Sequence, residues 1–138
     1  MVKRQISLAE RLSRQGGEAG RKLPVLLEMN VSGEESKFGF PAWQEERWQE
    51  LLPDFEKILS FPNLEVRGLM AMAPFFDDAE PARPYFSKVR RLQEALMRWL
   101  PGANWNELSM GMSGDFEVAI EEGATWVRIG QSILGERR

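Results

Sequence analysis

The 138-residue sequence contains no cysteine and no histidine. Without cysteine there is neither a disulfide framework nor a thiolate metal site, and nothing marks an oxidising compartment. Without histidine the commonest metal ligand and the commonest general base are both missing. Any chemistry must therefore come from carboxylates, lysines, hydroxyls or a borrowed cofactor, and no metal site is expected. No apolar run approaches the roughly 20 residues of a membrane span, and the N-terminus lacks the apolar core of a signal peptide. A cytoplasmic protein with no membrane partner is the expectation. Excess positive charge is also lacking: 18 Lys and Arg stand against 21 Asp and Glu, for a net charge of −3. The cations are dispersed rather than striped, so nucleic acid is not an expected partner.

What is present fits one globular domain over residues 1–138, with apolar residues at 43% and charged residues at 28%. Residues 7 to about 19 read as a helix with Ile6, Leu8, Ala9 and Leu12 on its apolar face, ended by Gly16, Gly17 and Gly20. LPVLLEMNV, residues 23–31, is the nearly continuous apolar run of a strand covered on both faces. SGEESKFGF makes a loop, and Pro41 suits the first turn of a helix over 42–59, which Pro53 kinks or breaks in two. A second strand is expected over 64–72. A long amphipathic helix follows on Phe86, Val89, Leu92, Leu96 and Trp99, stopped by Pro101 and Gly102. A third strand is placed at 107–112, a short helix at 116–122 capped by Asp115 and ended by Gly123, and a fourth strand at 125–129, with one last turn at 131–134. Strand and helix alternating through four strands predict a parallel α/β sheet. Periodicity alone leaves open whether this is an open sheet or half of an eight-stranded barrel.

The chain is organised around NELSMGMSG (106–114) and ATWVRIGQSILG (124–135). Each is a short apolar run that opens into glycines and small polar residues. One reading is a phosphate cradle: backbone N–H groups near Gly111, Gly114 and Gly130, the hydroxyls of Ser109, Ser113 and Ser132, and a fixed charge on Arg128. The other is two core strands with ordinary glycine turns, because glycine-rich loops are weak signals. Arg128 has its own plain alternative, an ion pair with Glu107, Glu121 or Glu122.

NELSMGMSGDFEVAIEEGATWVRIGQSILGER resembles the C-terminal signature of the YggS/PROSC-type pyridoxal phosphate homeostasis proteins. SLAERLSR, LPVLLEMNVSGEESKFGF, NLEVRGLMAMAP and the helix around PYFSKVRRLQ agree with that family in order. The resemblance implies half of an alanine-racemase-N-terminal-like (β/α)8 TIM barrel, with this chain supplying strands five to eight. It implies pyridoxal 5′-phosphate (PLP) as cofactor and a non-catalytic role in vitamin B6 and amino-acid homeostasis. Carried over by motif, Ser109, Ser113, Gly130 and Gln131 are the phosphate contacts and Arg128 faces the pyridine nitrogen. A permanently cationic arginine there keeps that nitrogen unprotonated and weakens the electron sink used by PLP enzymes.

The chain departs from the family in several places. The family's first four strands, including the V-S-K-type motif with its Schiff-base lysine, have no counterpart, and neither do the family's histidines. Lys37 aligns with the family's own lysine in SGEESKFGF and is expected to be solvated or structural. Gln131 stands where many members carry Thr or Ser after R-I-G. Cofactor binding is therefore expected to be non-covalent and impaired by truncation. A half barrel leaves unpaired edges and one uncovered face, so a homodimer or a complementing N-terminal half is the expected partner. The alternatives are a fragment of a PLP-dependent racemase- or decarboxylase-like enzyme, or a structural half barrel with a vestigial phosphate site.

Overall fold

The computed structural model describes residues 2–34 and 39–128. Helix α1 (Val2–Glu18) precedes strand β1 (Leu23–Asn30), and a two-residue strand β2 (Phe40–Pro41) follows. A 3-10 segment (Glu45–Leu51) runs into α2 (Leu52–Leu59), which leads to β3 (Leu64–Met70). A second short 3-10 segment (Glu80–Ala82) runs into α3 (Arg83–Trp99). Then come β4 (Glu107–Met112), α4 (Phe116–Glu121) and β5 (Trp126–Arg128). Among the described residues the strands form one sheet in the order β2-β1-β3-β4-β5, every pair parallel. The alternation read from the sequence is thus the architecture, and the coarse parallel α/β class holds.

Several expectations need correction. Pro41 does not open a helix: Met29 pairs with Phe40 and Asn30 with Pro41, so the segment adds a short fifth strand beside β1. Proline is tolerated there because an edge position does not call on its missing N–H. The 42–59 helix is two pieces joined at Leu51 and Leu52, with Pro53 in the first turn of α2, where its ring fits. Asp115 does not cap α4 through its side chain; its Oδ1 accepts the Met112 N–H at 2.7 Å instead, closing the turn before the helix. The strand at 23–31 is not covered on both faces. Leu27, Met29 and Val31 are buried, whereas Leu26 and Glu28 on either side of Leu27 are half exposed. The apolar run therefore reflects β propensity as well as burial.

The core lies on one side of the sheet. Leu64, Val66, Leu69 and Ala71 around β3 and Leu108 and Met110 on β4 are buried, together with Phe55 and Ile58 from α2 and Phe86, Val89, Leu92 and Leu96 from α3. The i, i+3, i+4 spacing of the α3 residues is what the sequence pattern requires of a helix facing a sheet. Phe55 meets Phe40 edge to face at 5.0 Å and Trp105 at 6.4 Å, so one aromatic cluster joins β2, α2 and the loop after α3. Trp105 is itself held by its indole N–H on Leu100 O at 3.0 Å. α1 is tied to the start of β3 by Asn63, whose backbone N–H donates to Ser13 Oγ at 3.2 Å and whose amide donates to Ser13 O at 3.0 Å.

The opposite face is less covered and mixes apolar and charged side chains. The β1–β3 register slips between Val25 and Leu26, leaving Arg67 as an extra residue before Gly68. Gly68 has φ +155°, and a Cβ there would stand 1.8 Å from Glu107 O. β3 and β4 approach so closely at this bulge that only glycine fits. Arg67 Nε donates to Glu65 at 2.7 Å, and the Trp126 indole N–H donates to Glu107. Leu26, Arg67, Glu107 and Trp126 line a shallow hollow of about 170 Å³ on this face.

Candidate functional site

Parallel α/β sheets place ligands at the carboxyl ends of their strands, because the loops and backbone groups that can reach a ligand converge there. The carboxyl ends of all five parallel strands lie at this edge. At the end of β1, Asn30 is buried and committed: Oδ1 accepts the N–H groups of Ser32 and Gly33, each at 3.2 Å, and Nδ2 donates to Glu34 O at 2.9 Å. Asn30 thus shapes its own loop, as short polar side chains do at strand ends, and needs no ligand to explain it.

The end of β4 differs. Ser109 is 8% exposed and pairs in register with Met70 on one side and Trp126 on the other. Its hydroxyl has no hydrogen-bond partner among the described residues. The strand then bends, with a register shift between Ser109 and Met112. Gly111 sits at φ +105°, and a Cβ there would lie 2.7 Å from the Cβ of Ala119. This contact presses α4 against the strand end and fixes where the next turn begins. In that turn Met112 N–H is taken by Asp115 Oδ1, and Asp115 N–H by Met112 O at 3.1 Å. The N–H groups of Ser113 and Gly114 donate to no other described residue, and a Cβ at Gly114 would meet nothing within 4 Å. Two adjacent backbone donors and two hydroxyls are therefore without a partner among the described residues, with open space at Gly114, an arrangement suited to anion oxygens.

Arg128 completes this edge. It is the register partner of Met112, one residue from Ser113 along β4. None of the carboxylates considered for it from sequence holds it: Glu121 and Glu122 are taken by Arg83, and Glu107 accepts from Trp126. Its Nη2 stands 2.8 Å from Met70 Sδ on β3 instead. Because β4 lies between β3 and β5, the guanidinium crosses the end of β4 to make this contact.

The structure thus brings Ser109, Ser113 and Arg128 to one strand-end edge, while Gly130, Gln131 and Ser132 lie outside the described residues, as does Lys37. Sequence reasoning missed Met70; its only sequence signal is its place at the end of the LEVRGLM strand. Below the edge, hydrogen bonding from Arg67 holds the Glu65 carboxyl below its usual range. At the flank, the Ser87 hydroxyl, at 2.5 Å, and Arg83, at 2.7 Å, do the same to Glu122.

Fold and site together define a parallel α/β domain with a cationic, hydroxyl-bearing edge at its strand ends. A model of the alanine racemase N-terminal domain family matches residues 2–138, and the chain belongs to that family. A pyridoxal phosphate homeostasis protein of Aquifex aeolicus is 46% identical over 132 residues, which is 96% of this chain and 55% of the relative. The human pyridoxal phosphate homeostasis protein is 39% identical over 137 residues, 96% of this chain and 48% of the relative. PipY of Synechococcus elongatus PCC7942, solved with PLP bound, has a TM-score of 0.76 and 32% identity, over 89% of this chain and 54% of PipY. The chain spans about half the length of the curated relatives it matches. The YggS/PROSC-type resemblance carried by the C-terminal motif is borne out by these relatives.

Proposed function

We propose that the chain binds pyridoxal 5′-phosphate non-covalently and serves vitamin B6 and amino-acid homeostasis rather than catalysis. The observation that carries this is the set of donors in and just after β4 that have no partner among the described residues: the Ser113 and Gly114 N–H groups and the Ser109 and Ser113 hydroxyls, with Arg128 paired to Met112 beside them. Relatives named for PLP homeostasis and a PLP-bound PipY support the same ligand. Ser109 and Ser113 hold phosphate oxygens in this proposal, joined by Gly130 and Gln131, and Arg128 faces the pyridine nitrogen. A bound PLP supplies an aldehyde and an electron-withdrawing ring for amine chemistry. Arg128 works against that chemistry by holding a fixed positive charge where a proton would otherwise sit.

The described residues fit the anionic end and the ring nitrogen of such a ligand but bring no amine to it. Lys22 precedes β1, whereas Lys3, Lys57 and Lys88 lie on helices, and Lys88 Nζ is spent on Trp43 O at 2.9 Å. Binding therefore rests on hydrogen bonds and charge. Strands β1, β3, β4 and β5 correspond, in the same proposal, to strands five to eight of an eight-stranded barrel. A second copy or a separate N-terminal half closes it over the open face, where Trp126 is 59% exposed. Light scattering that gives a lone monomer with a cooperative melt removes that closure.

Titration with PLP tests the binding. The expected result is reversible, saturable binding that inorganic phosphate competes away and pyridoxal, lacking the phosphate, does not reproduce. A lysine adduct trapped by borohydride would replace the non-covalent mode with an enzyme-like site, and no binding at all would leave a vestigial one.

A further inference from the structure

α4 is the element between the two halves of the candidate site: its first turn comes directly after the Met112–Asp115 turn, and its end leads through Gly123 into β5 and Arg128. Six residues are too few for a helix to hold itself together in water, so its placement comes from outside. Val118 and Ala119 are buried and fix its inner face. Its C-terminal end is held by charge. Arg83, the first residue of α3, donates through Nη2 to Glu121 at 2.6 Å and through Nη1 to Glu122 at 2.7 Å. The same guanidinium holds Glu80, in the segment after β3, by two contacts of 3.0 Å, and Ser87 Oγ donates to Glu122 at 2.5 Å. One planar cation thus joins three carboxylates through four hydrogen bonds in a fixed fork, one more than the three donors of a lysine ammonium can make.

The backbone beyond this clamp is rigidly coupled to it. Ala124 N–H donates to Ala119 O at 3.0 Å and Thr125 N–H to Leu108 O at 2.8 Å, while Thr125 Oγ1 accepts the Leu108 N–H at 2.9 Å. Three residues after Thr125 comes Arg128. We infer that Arg83 is a positioning residue for the strand-end site: by pinning the end of α4 it sets both the turn that carries Ser113 and the strand that carries Arg128. This rests on the proposal that Ser113 and Arg128 meet the ligand, and Arg83 itself touches nothing there.

The test measures PLP affinity by titration and amide hydrogen exchange over residues 112–128 in the wild type, Arg83→Gln, Arg83→Lys, Arg128→Ala and the Arg83→Gln/Arg128→Ala double variant. Arg83→Gln is expected to weaken PLP binding about tenfold and to speed exchange over 123–128, with Arg83→Lys recovering part of both. In the Arg128→Ala background the loss from Arg83→Gln should shrink to about threefold, because only the turn that carries Ser113 is left for it to act on. Affinity within twofold of wild type with unchanged exchange overturns the inference, and so does an undiminished loss in the double variant. Should Arg83→Gln fail to fold, Ser87→Ala takes its place, with a threefold loss expected and no change overturning the coupling. A wild type that does not bind PLP sinks the proposed function alone, and the exchange comparison then decides on its own whether Arg83 controls β5.

Discussion

The guanidinium of Arg128 reaches across β4 to lie 2.8 Å from the sulfur of Met70, two strands away in the sheet. A thioether is a weak acceptor and does not neutralise the charge as a carboxylate would. No carboxylate among the described residues pairs with Arg128, and under the proposed function its charge faces a ligand at the strand ends.

Replacing Arg128 by Ala is expected to cost PLP binding about 1.5–3 kcal/mol, the usual worth of a charge-assisted hydrogen bond. That is roughly a tenfold to hundredfold rise in Kd. Because Arg128 is exposed, the melting temperature should stay close to wild type. A titration and a thermal melt on the same preparation check both halves; unchanged affinity would remove Arg128 from the site.

Gly68→Ala tests the bulge. A Cβ at 1.8 Å from Glu107 O forces β3 and β4 apart at φ +155°, and a loss of at least about 2 kcal/mol in urea unfolding is expected from strain and the broken register. Gly114→Ala is the contrast. Its Cβ would meet nothing within 4 Å, and stability should barely change.

Phe55 is fully buried between Phe40 and Trp105. Phe55→Ala removes the centre of that cluster and should cost about 3–5 kcal/mol, the range for a large aromatic lost from a packed core. Chemical denaturation monitored by tryptophan fluorescence reads it directly.

Acid should release the clamp on α4. Hydrogen bonds from Ser87 and Arg83 hold Glu122 below its usual range, and Arg83 does the same to Glu80. A carboxyl depressed in the folded state stabilises it above the ordinary glutamate value of about 4.3, and that stabilisation disappears as pH falls through the depressed value. Glu122 carries most of the effect, since the Glu80 side chain is 63% exposed and screened by water. Glu122→Gln should therefore melt below wild type at neutral pH, with the gap closing as pH falls below the ordinary glutamate range. A gap that persists there would show that the ion pair is not its source.

The sequence alone determined the order of the longer elements, the parallel class and the glycine-and-serine corner after β4. Those arise from local chemistry: apolar period, proline and glycine punctuation, and a motif whose residues sit close together in the chain. β4 starts and stops where NELSMGM predicts, because its boundaries are set by neighbours in sequence. The strand at Phe40 and Pro41 was not legible, since two residues carry no periodicity and their pairing is supplied by β1. The one-sided burial of β1 was hidden as well, because an apolar run does not say which face finds a cover. Tertiary structure decided the rest of the site. Arg128 had three carboxylates within plausible reach on paper, and only the packing of α3 against α4 assigned two of them to Arg83, 38 and 39 residues away in sequence. A residue's charge is written in the chain; its partner is chosen by distances that exist only after the chain has folded.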